Sequence, residues 1–287
     1  GAIEAGAIGN LLPGGRPVTD AAARVDIAAV WNTESIPAEI GRSTHQIIEA
    51  VHAGQIGALL VGAVDPLDGD NSQAALTALD KAFVVSLEIT HSAVTAIADV
   101  VLPVAAVIEK SGSFLDWEGR ARAFEAAVDV PDLRSDVRIL SIIADRMGKP
   151  ISLPTVAAAA SEFSALGNWD GARAPFTPTS ATLISGDTIL ASWRLLLDAG
   201  SLQDGEENLA GTARDSVVVI SKNRANSLGV KDKELVRVSN NYGAVTLPCL
   251  VEDIEDSSVW LPRNSLNSQL IRNLGVVGNS IVKVAKA

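Results

Sequence analysis

Three short apolar runs constrain this chain more than anything else in it: IGALLVGAV (56–64), FVVSLE (83–88) and VVLPVAA (100–106). None alternates apolar with polar residues. A strand with one wet face reads with period two, whereas a strand buried on both faces reads as a continuous apolar run. Helical patterns separate the runs, as parallel connections require. STHQIIEAVHAG (43–54) carries a capping-box pattern, Ser43 with Gln46, then apolar residues at helical spacing, then Gly54 as a stop. DNSQAALTALDKA (70–82) repeats it with Asp70 and Gln73. DIAAVWN (26–32) reads as an earlier apolar run of the same alternation, SAVTAIA (92–98) as a short helix, and residues 132–148 as a long one. Residues 1–150 therefore predict an α/β domain built on a doubly wound, mostly parallel sheet.

Beyond residue 150 the pattern changes. TVAAAASEFSALG (155–167) and DTILASWRLLLDAG (187–200) read as helices on either side of a Gly-, Pro- and Thr-rich loop, so residues 151–210 are expected to be a helical connector. After residue 211 short β-branched runs follow one another: SVVVIS, ELVRVSNNYGAVTLPCLVE, SSVWLPR and SIVKVAK. NNYG sits between two alternating runs as a hairpin turn would. Residues 211–287 predict a small C-terminal β-barrel domain. Charge marks the same border: the net charge is −9 over residues 1–150, −5 over 151–210 and +3 over 211–287. The first 25 residues, rich in Gly, Ala and Pro, have no recognisable structured start, and the chain reads as a piece of something longer.

Several function classes drop out. A net charge of −11 argues against a nucleic-acid partner, which needs a basic footprint. The single cysteine, Cys249, rules out a disulfide within the chain and an iron–sulfur cluster held by four of its own thiolates. His45 and His52 are seven apart on one expected helix, about 10 Å along its axis, and His91 stands alone, so no zinc site is assigned. No apolar run approaches the ~18 residues of a membrane span and no signal-peptide pattern opens the chain, so it reads as soluble, without direct membrane insertion.

In an open α/β sheet, ligands bind beyond the carboxyl ends of the strands. Those loops here are NTESIPAE, GAVDPLDGD and EITHS, and none is a glycine-rich phosphate loop. The second places Asp65, Asp68 and Asp70 together, and carboxylates there repel a phosphate. Ser111-Gly112 and Ser185-Gly186 lack the setting of an activated serine. The remaining candidate is the charged end of ADVVLPVAAVIEKSGSFLDWEGR (98–120), with Glu109, Lys110, Asp116, Glu118 and Arg120, and Arg122 just beyond. Interleaved carboxylates and cations make mutual pairing the simplest account of it.

That same stretch resembles the A-D-V-V-L-P … E-x-x-G-[ST] … x-E-G-R signature of the molybdopterin oxidoreductase family. ANSLGVKDKELVRVSNNYGAV (225–245) is similar to that family's dinucleotide-binding barrel motif. ASWRLLLDAGSLQDGEENLAGTAR (191–214) looks like one branch of the family, the large peripheral-arm subunits of the respiratory complex that passes electrons from NADH to quinone. The resemblance implies a vestigial cofactor cleft at Gly62, Asp65, Thr90, Glu109, Gly112, Glu118 and Arg120, with no catalytic residue and no metal ligand. Three departures argue against a bound molybdopterin: Asp65 where the family usually has Asn, Lys233 where its barrel motif has Gly, and Asp116-Trp117 ahead of Glu118-Gly119-Arg120. The implied role is structural. The chain would brace iron–sulfur domains that precede it and dock other peripheral-arm subunits, with Trp117 a candidate anchor, at the cytoplasmic face of the membrane and without a cofactor of its own. A fragment of a true molybdopterin enzyme and a vestigial nucleotide-binding module are the alternatives.

Overall fold

The computed structural model describes residues 6–68, 72–116, 118–175, 188–200, 203–276 and 278–287. The readings placed on Asp70, Trp117 and Ser185-Gly186 lie outside the described residues. The chain divides into two units, one of residues 1–65 and 76–177, the other of 66–75 and 178–287.

The first unit opens with a small hairpin, β1 (Leu11–Leu12) and β2 (Arg16–Pro17), followed by helix α1 (Ala21–Val30). The apolar run at 26–32 thus ends a helix and is not a strand. Asp20 explains it, because its carboxylate accepts from the amides of Ala22 and Ala23 and starts the helix five residues earlier. Arg16 is fully buried beside α1: Nε donates to Asp26 Oδ2 at 3.1 Å, Nη2 donates to the Leu166 carbonyl at 2.6 Å, and the guanidinium lies 5.5 Å from the Trp169 ring centroid. A buried cation is tolerated when its donors are met in this way.

Helix α2 (Thr44–His52) starts at the expected capping box: Ser43 Oγ accepts from the Gln46 amide, and Gln46 Oε1 from the Ser43 amide. Then come β3 (Ala58–Gly62), a 3₁₀ turn at Pro66–Asp68, α3 (Ser72–Lys81), β4 (Phe83–Glu88) and β5 (Val100–Pro103). The three strands form one parallel sheet in the order β3-β4-β5, with Leu60 opposite Val85 and Val85 opposite Val100. Helices lie on both faces, as the continuous runs predict. Leu59, Val61 and Val84 meet Val51 of α2 and Ala78 and Leu79 of α3. On the other face Val85, Leu87 and Leu102 meet Ile139 and Ile143 of α4 (Asp136–Arg146), further along the chain. SAVTAIA is a turn rather than a helix, since Ser92 and Thr95 cap one another: each amide donates to the other's hydroxyl oxygen. After β5 come the hairpin strands β6 (Gly112–Leu115) and β7 (Ala121–Phe124), then α4, then α5 (Val156–Ala165).

In the second unit the expected helix at 187–200 is overturned. Thr188–Ala191 is strand β8, held on one side by β12 (Ser258–Trp260) and on the other by β15 (Ser280–Lys286), and the residues to Gly200 are irregular. Pairing on both edges outweighs the helical spacing of its leucines. After α6, a single turn at Glu207–Ala210, come β9 (Val218–Ser221), α7 (Lys222–Leu228), β10 (Leu235–Ser239) and β11 (Ala244–Glu252), the last two joined by the expected NNYG hairpin. The two-residue strands β13 (Asn264–Ser265) and β14 (Ser268–Gln269) follow β12, and α8 (Leu270–Leu274) precedes β15. The barrel closes in the order β10-β11-β9-β12-β8-β15. Alternate residues point inward, among them Val236, Val238, Val245, Leu247 and Cys249, with Leu270 and Leu274 also fully buried in this core. Each such side chain contributes about 1.5–3 kcal/mol through burial.

Candidate functional site

Six of the seven candidate residues sit at carboxyl ends of the parallel strands or on the β6–β7 hairpin, and Glu109 closes the 3₁₀ turn (Val107–Glu109) that joins the two. Gly62 ends β3, Asp65 follows it, and Thr90 follows β4; all three are exposed. The amide of Ala63 is spent on the Leu87 carbonyl (3.2 Å) and that of Ile89 on the Glu88 carboxylate (3.1 Å). Glu109 Oε2 accepts from the Ala106 amide at 2.8 Å. Lys110, beside it, pairs with Asp136 at the start of α4.

Gly112 faces Phe124 across the hairpin, and a Cβ there would lie 2.7 Å from the ring. Phe124 stacks on Phe114 with centroids 4.7 Å apart. Asp116 organises the turn: Oδ1 accepts from the amides of Glu118 (2.9 Å) and Arg120 (2.8 Å), and the Gly119 amide donates to the Asp116 carbonyl. Gly119 adopts φ +80°, a left-handed conformation glycine tolerates at little cost. Arg120 Nη2 donates to Glu118 Oε2 at 2.8 Å. Of the interleaved charges, Glu118 and Arg120 pair with each other within the loop, Lys110 pairs outside it with Asp136, and Glu109 and Asp116 accept from backbone amides.

Sequence reasoning missed a second set, in the barrel unit. Arg194, Arg263 and Arg272 line a narrow recess with Leu67, Asn264, Gln269 and Ile271, with room for about one water-sized molecule. Arg194 Nη1 donates to Asp198 at 2.9 Å and Arg272 Nη1 to Gln269 at 3.3 Å, while Arg263 Nε is buried without a hydrogen-bond partner. Only the basic balance of the tail hinted at it. Among the described residues no group of His, Cys, Asp and Glu could hold a metal ion, and no helix is long and apolar enough to cross a membrane.

A parallel sheet with helices on both faces, a six-stranded closed barrel and this glycine-braced loop define a class. The chain belongs to the molybdopterin oxidoreductase family: residues 5–146 match the Molybdopterin oxidoreductase family model, and 198–285 match that of the Molydopterin dinucleotide binding domain. Over nearly its whole length it is similar to the G subunit of NADH-quinone oxidoreductase. The Mycobacterium tuberculosis protein is 48% identical over 292 residues, covering 99% of this chain and 36% of that protein. The Streptomyces coelicolor protein is 44% identical over 297 residues, covering 100% and 35%. The chain thus spans about a third of the length of these curated relatives. Among solved structures, acetylene hydratase from Pelobacter acetylenicus shares the fold, with a TM-score of 0.57 over 85% of this chain and 46% of that one at 17% identity.

The family implies a molybdopterin dinucleotide, and the amides at the candidate loops offer one few free donors. A pyrophosphate needs free backbone amides or basic side chains at the strand ends. Here the Ala63, Ile89, Ser92, Ala106, Glu118 and Arg120 amides donate to the chain's own oxygens. The arginine-lined recess of the barrel unit is smaller than a nucleotide, whereas a cavity of about 660 Å³ at the carboxyl end of β5 is lined by Arg134, Arg138 and Arg146.

Proposed function

We propose that this chain is the C-terminal structural module of the large peripheral-arm subunit of an NADH-quinone oxidoreductase. It braces the cluster-bearing domains that precede it and carries no electrons itself. The observation that carries this reading is the spent loop: Asp116, Glu118, Arg120 and Glu109 bind one another and nearby amides, leaving a rigid turn rather than a ligand cradle. The similarity to the Mycobacterium and Streptomyces proteins over the whole chain supports the assignment to that complex. Its partners are the preceding domains of its own polypeptide and other peripheral-arm subunits, at the cytoplasmic face of the membrane, with no nucleic acid.

The test is metal and nucleotide analysis of the assembled enzyme, with quinone reduction by complexes carrying Glu118→Gln or Arg120→Gln. The expected result is no molybdenum, tungsten or released guanine nucleotide, and unchanged turnover. Near-stoichiometric molybdenum or tungsten would sink the structural reading.

The unpartnered Nε of Arg263 favours a second reading, a vestigial anion site in the barrel unit that takes one phosphate group of a nucleotide. Thermal shift with inorganic phosphate and with guanine nucleotides separates the two. A real site should stabilise the protein by about 2.7 kcal/mol at 100 times its Kd. No shift at millimolar ligand rejects it.

A further inference from the structure

A groove of about 660 Å³ runs along α4 on the β5 side of the first unit. Leu102, Ile139, Ile142 and Ile143 make it apolar, continuing the core that α4 shares with the sheet. Arg134, Arg138 and Arg146 line the same groove, and all three are exposed. Arg134 Nη1 donates to the Asp132 carbonyl at 3.1 Å. Among the described residues none of the three guanidinium groups pairs with a carboxylate, although Asp132 and Asp145 also line the groove. The surroundings are acidic, with a net charge of −9 over residues 1–150, and the nearby cations Lys110 and Arg120 are already paired. Three unspent arginines beside an apolar floor are the exception on this surface. Arginine is enriched where separately folded partners meet, and it anchors such contacts. A domain core seldom takes up charges without their partners.

We infer that this groove docks a neighbouring subunit through an acidic amphipathic helix, which rests on the reading of the chain as one subunit of an NADH-quinone oxidoreductase. A helix fits better than an added strand. β5 is the edge of its sheet, but Pro103 has no amide to donate to a further strand. Arg138 and Arg146 lie eight residues apart, about 12 Å along the helix axis. A facing helix meets both with carboxylates about two turns apart, and lays the apolar residues between them over Leu102 and Ile142. The acidic surface around the groove repels such a helix, which fixes where it lands. A second copy of this chain in a symmetric contact is excluded as the occupant, because it would set the same arginines against one another.

The test uses the assembled enzyme, purified through a tag on a different subunit. A photo-crosslinking phenylalanine analogue replaces Asp145, which lines the groove and is exposed. The expected product is a link to another subunit, at a peptide with at least two carboxylates in a helical apolar pattern. Arg138→Glu in the same complex should lower the yield of that link about tenfold. That substitution falls in the first turn of α4, where a carboxylate suits the helix dipole, so a lost link is not a lost fold. A link to the same polypeptide, to a second copy or to a peptide without carboxylates overturns the inference. So does no link, or a yield that Arg138→Glu leaves unchanged. If the polypeptide is absent from the purified complex, its reading as a subunit fails too; if it is present and one of these results is obtained, the docking inference alone fails.

Discussion

Arg120 and Glu118 form an ion pair at 2.8 Å across a single glycine, with the arginine side chain 61% exposed and the glutamate 38%. An exposed pair of this kind contributes little, so Arg120→Ala should change unfolding free energy by no more than about 0.5 kcal/mol. Asp116 holds the turn instead, through two backbone amides. Asp116→Ala should cost about 1–2 kcal/mol, read by chemical denaturation. A larger loss for Arg120→Ala than for Asp116→Ala would reverse these roles.

Lys233 sits where the family's barrel motif has glycine, and its φ is +70°. A non-glycine residue in that conformation is strained by about 1 kcal/mol, and glycine gives back part of the difference through unfolded-state entropy. Lys233→Gly should therefore be neutral or stabilising by about 0.5 kcal/mol, whereas Lys233→Val should destabilise by more than about 1 kcal/mol. Thermal unfolding of the two variants decides it.

Two glycines differ in what crowds them. A Cβ on Gly243 would fall 2.3 Å from the Asn273 carbonyl oxygen, a backbone atom. On Gly112 it would meet the Phe124 ring, which can turn aside. Gly243→Ala should cost about 1–3 kcal/mol. Gly112→Ala should cost less and loosen the Phe114–Phe124 stack, visible as a change in near-ultraviolet circular dichroism.

The parallel strands and the barrel were legible because their burial leaves a direct trace: continuous apolar runs where both faces are covered, alternation where one is. The misreadings fall where that trace is short. The run at 26–32 is too brief to tell strand from helix end, and Asp20, the capping signal that decides it, lies outside the run. At 188–200 leucine spacing favours a helix, yet β12 and β15 capture Thr188–Ala191 from both sides. The pairing of Glu118 with Arg120 followed from charge order along the chain. Convergence of Arg194, Arg263 and Arg272 could not be read this way, because it joins residues nearly eighty positions apart.

Cys249 is buried in the barrel with Sγ 3.1 Å from the Lys231 carbonyl, and burial pushes its thiol above the ordinary range, with Asp232 adding to the effect. The nucleophile is the thiolate. The folded protein should react negligibly with a thiol reagent at neutral pH, and reaction should accelerate with denaturant in step with barrel unfolding. Rapid labelling of the native protein would contradict the barrel core described above.

Asp256 ties the start of α7 to the turn before β12. Ser221 Oγ donates to Oδ1 at 2.6 Å and Asn223 Nδ2 to Oδ2 at 2.9 Å, while Arg224 Nη2 donates to its carbonyl oxygen. These bonds, that from Ser221 foremost, hold its carboxyl below the usual carboxylate range. A lowered folded-state value means the unfolded chain binds a proton more readily. The contribution is therefore complete above the unfolded pKa and fades as pH falls through the folded one. Asp256→Asn should lower the melting temperature at pH 7, and the gap from the wild type should close as pH falls through the lowered folded-state value, where both come to carry a neutral side chain. A gap that persists unchanged into acid would show that the aspartate acts through shape alone rather than through its charge.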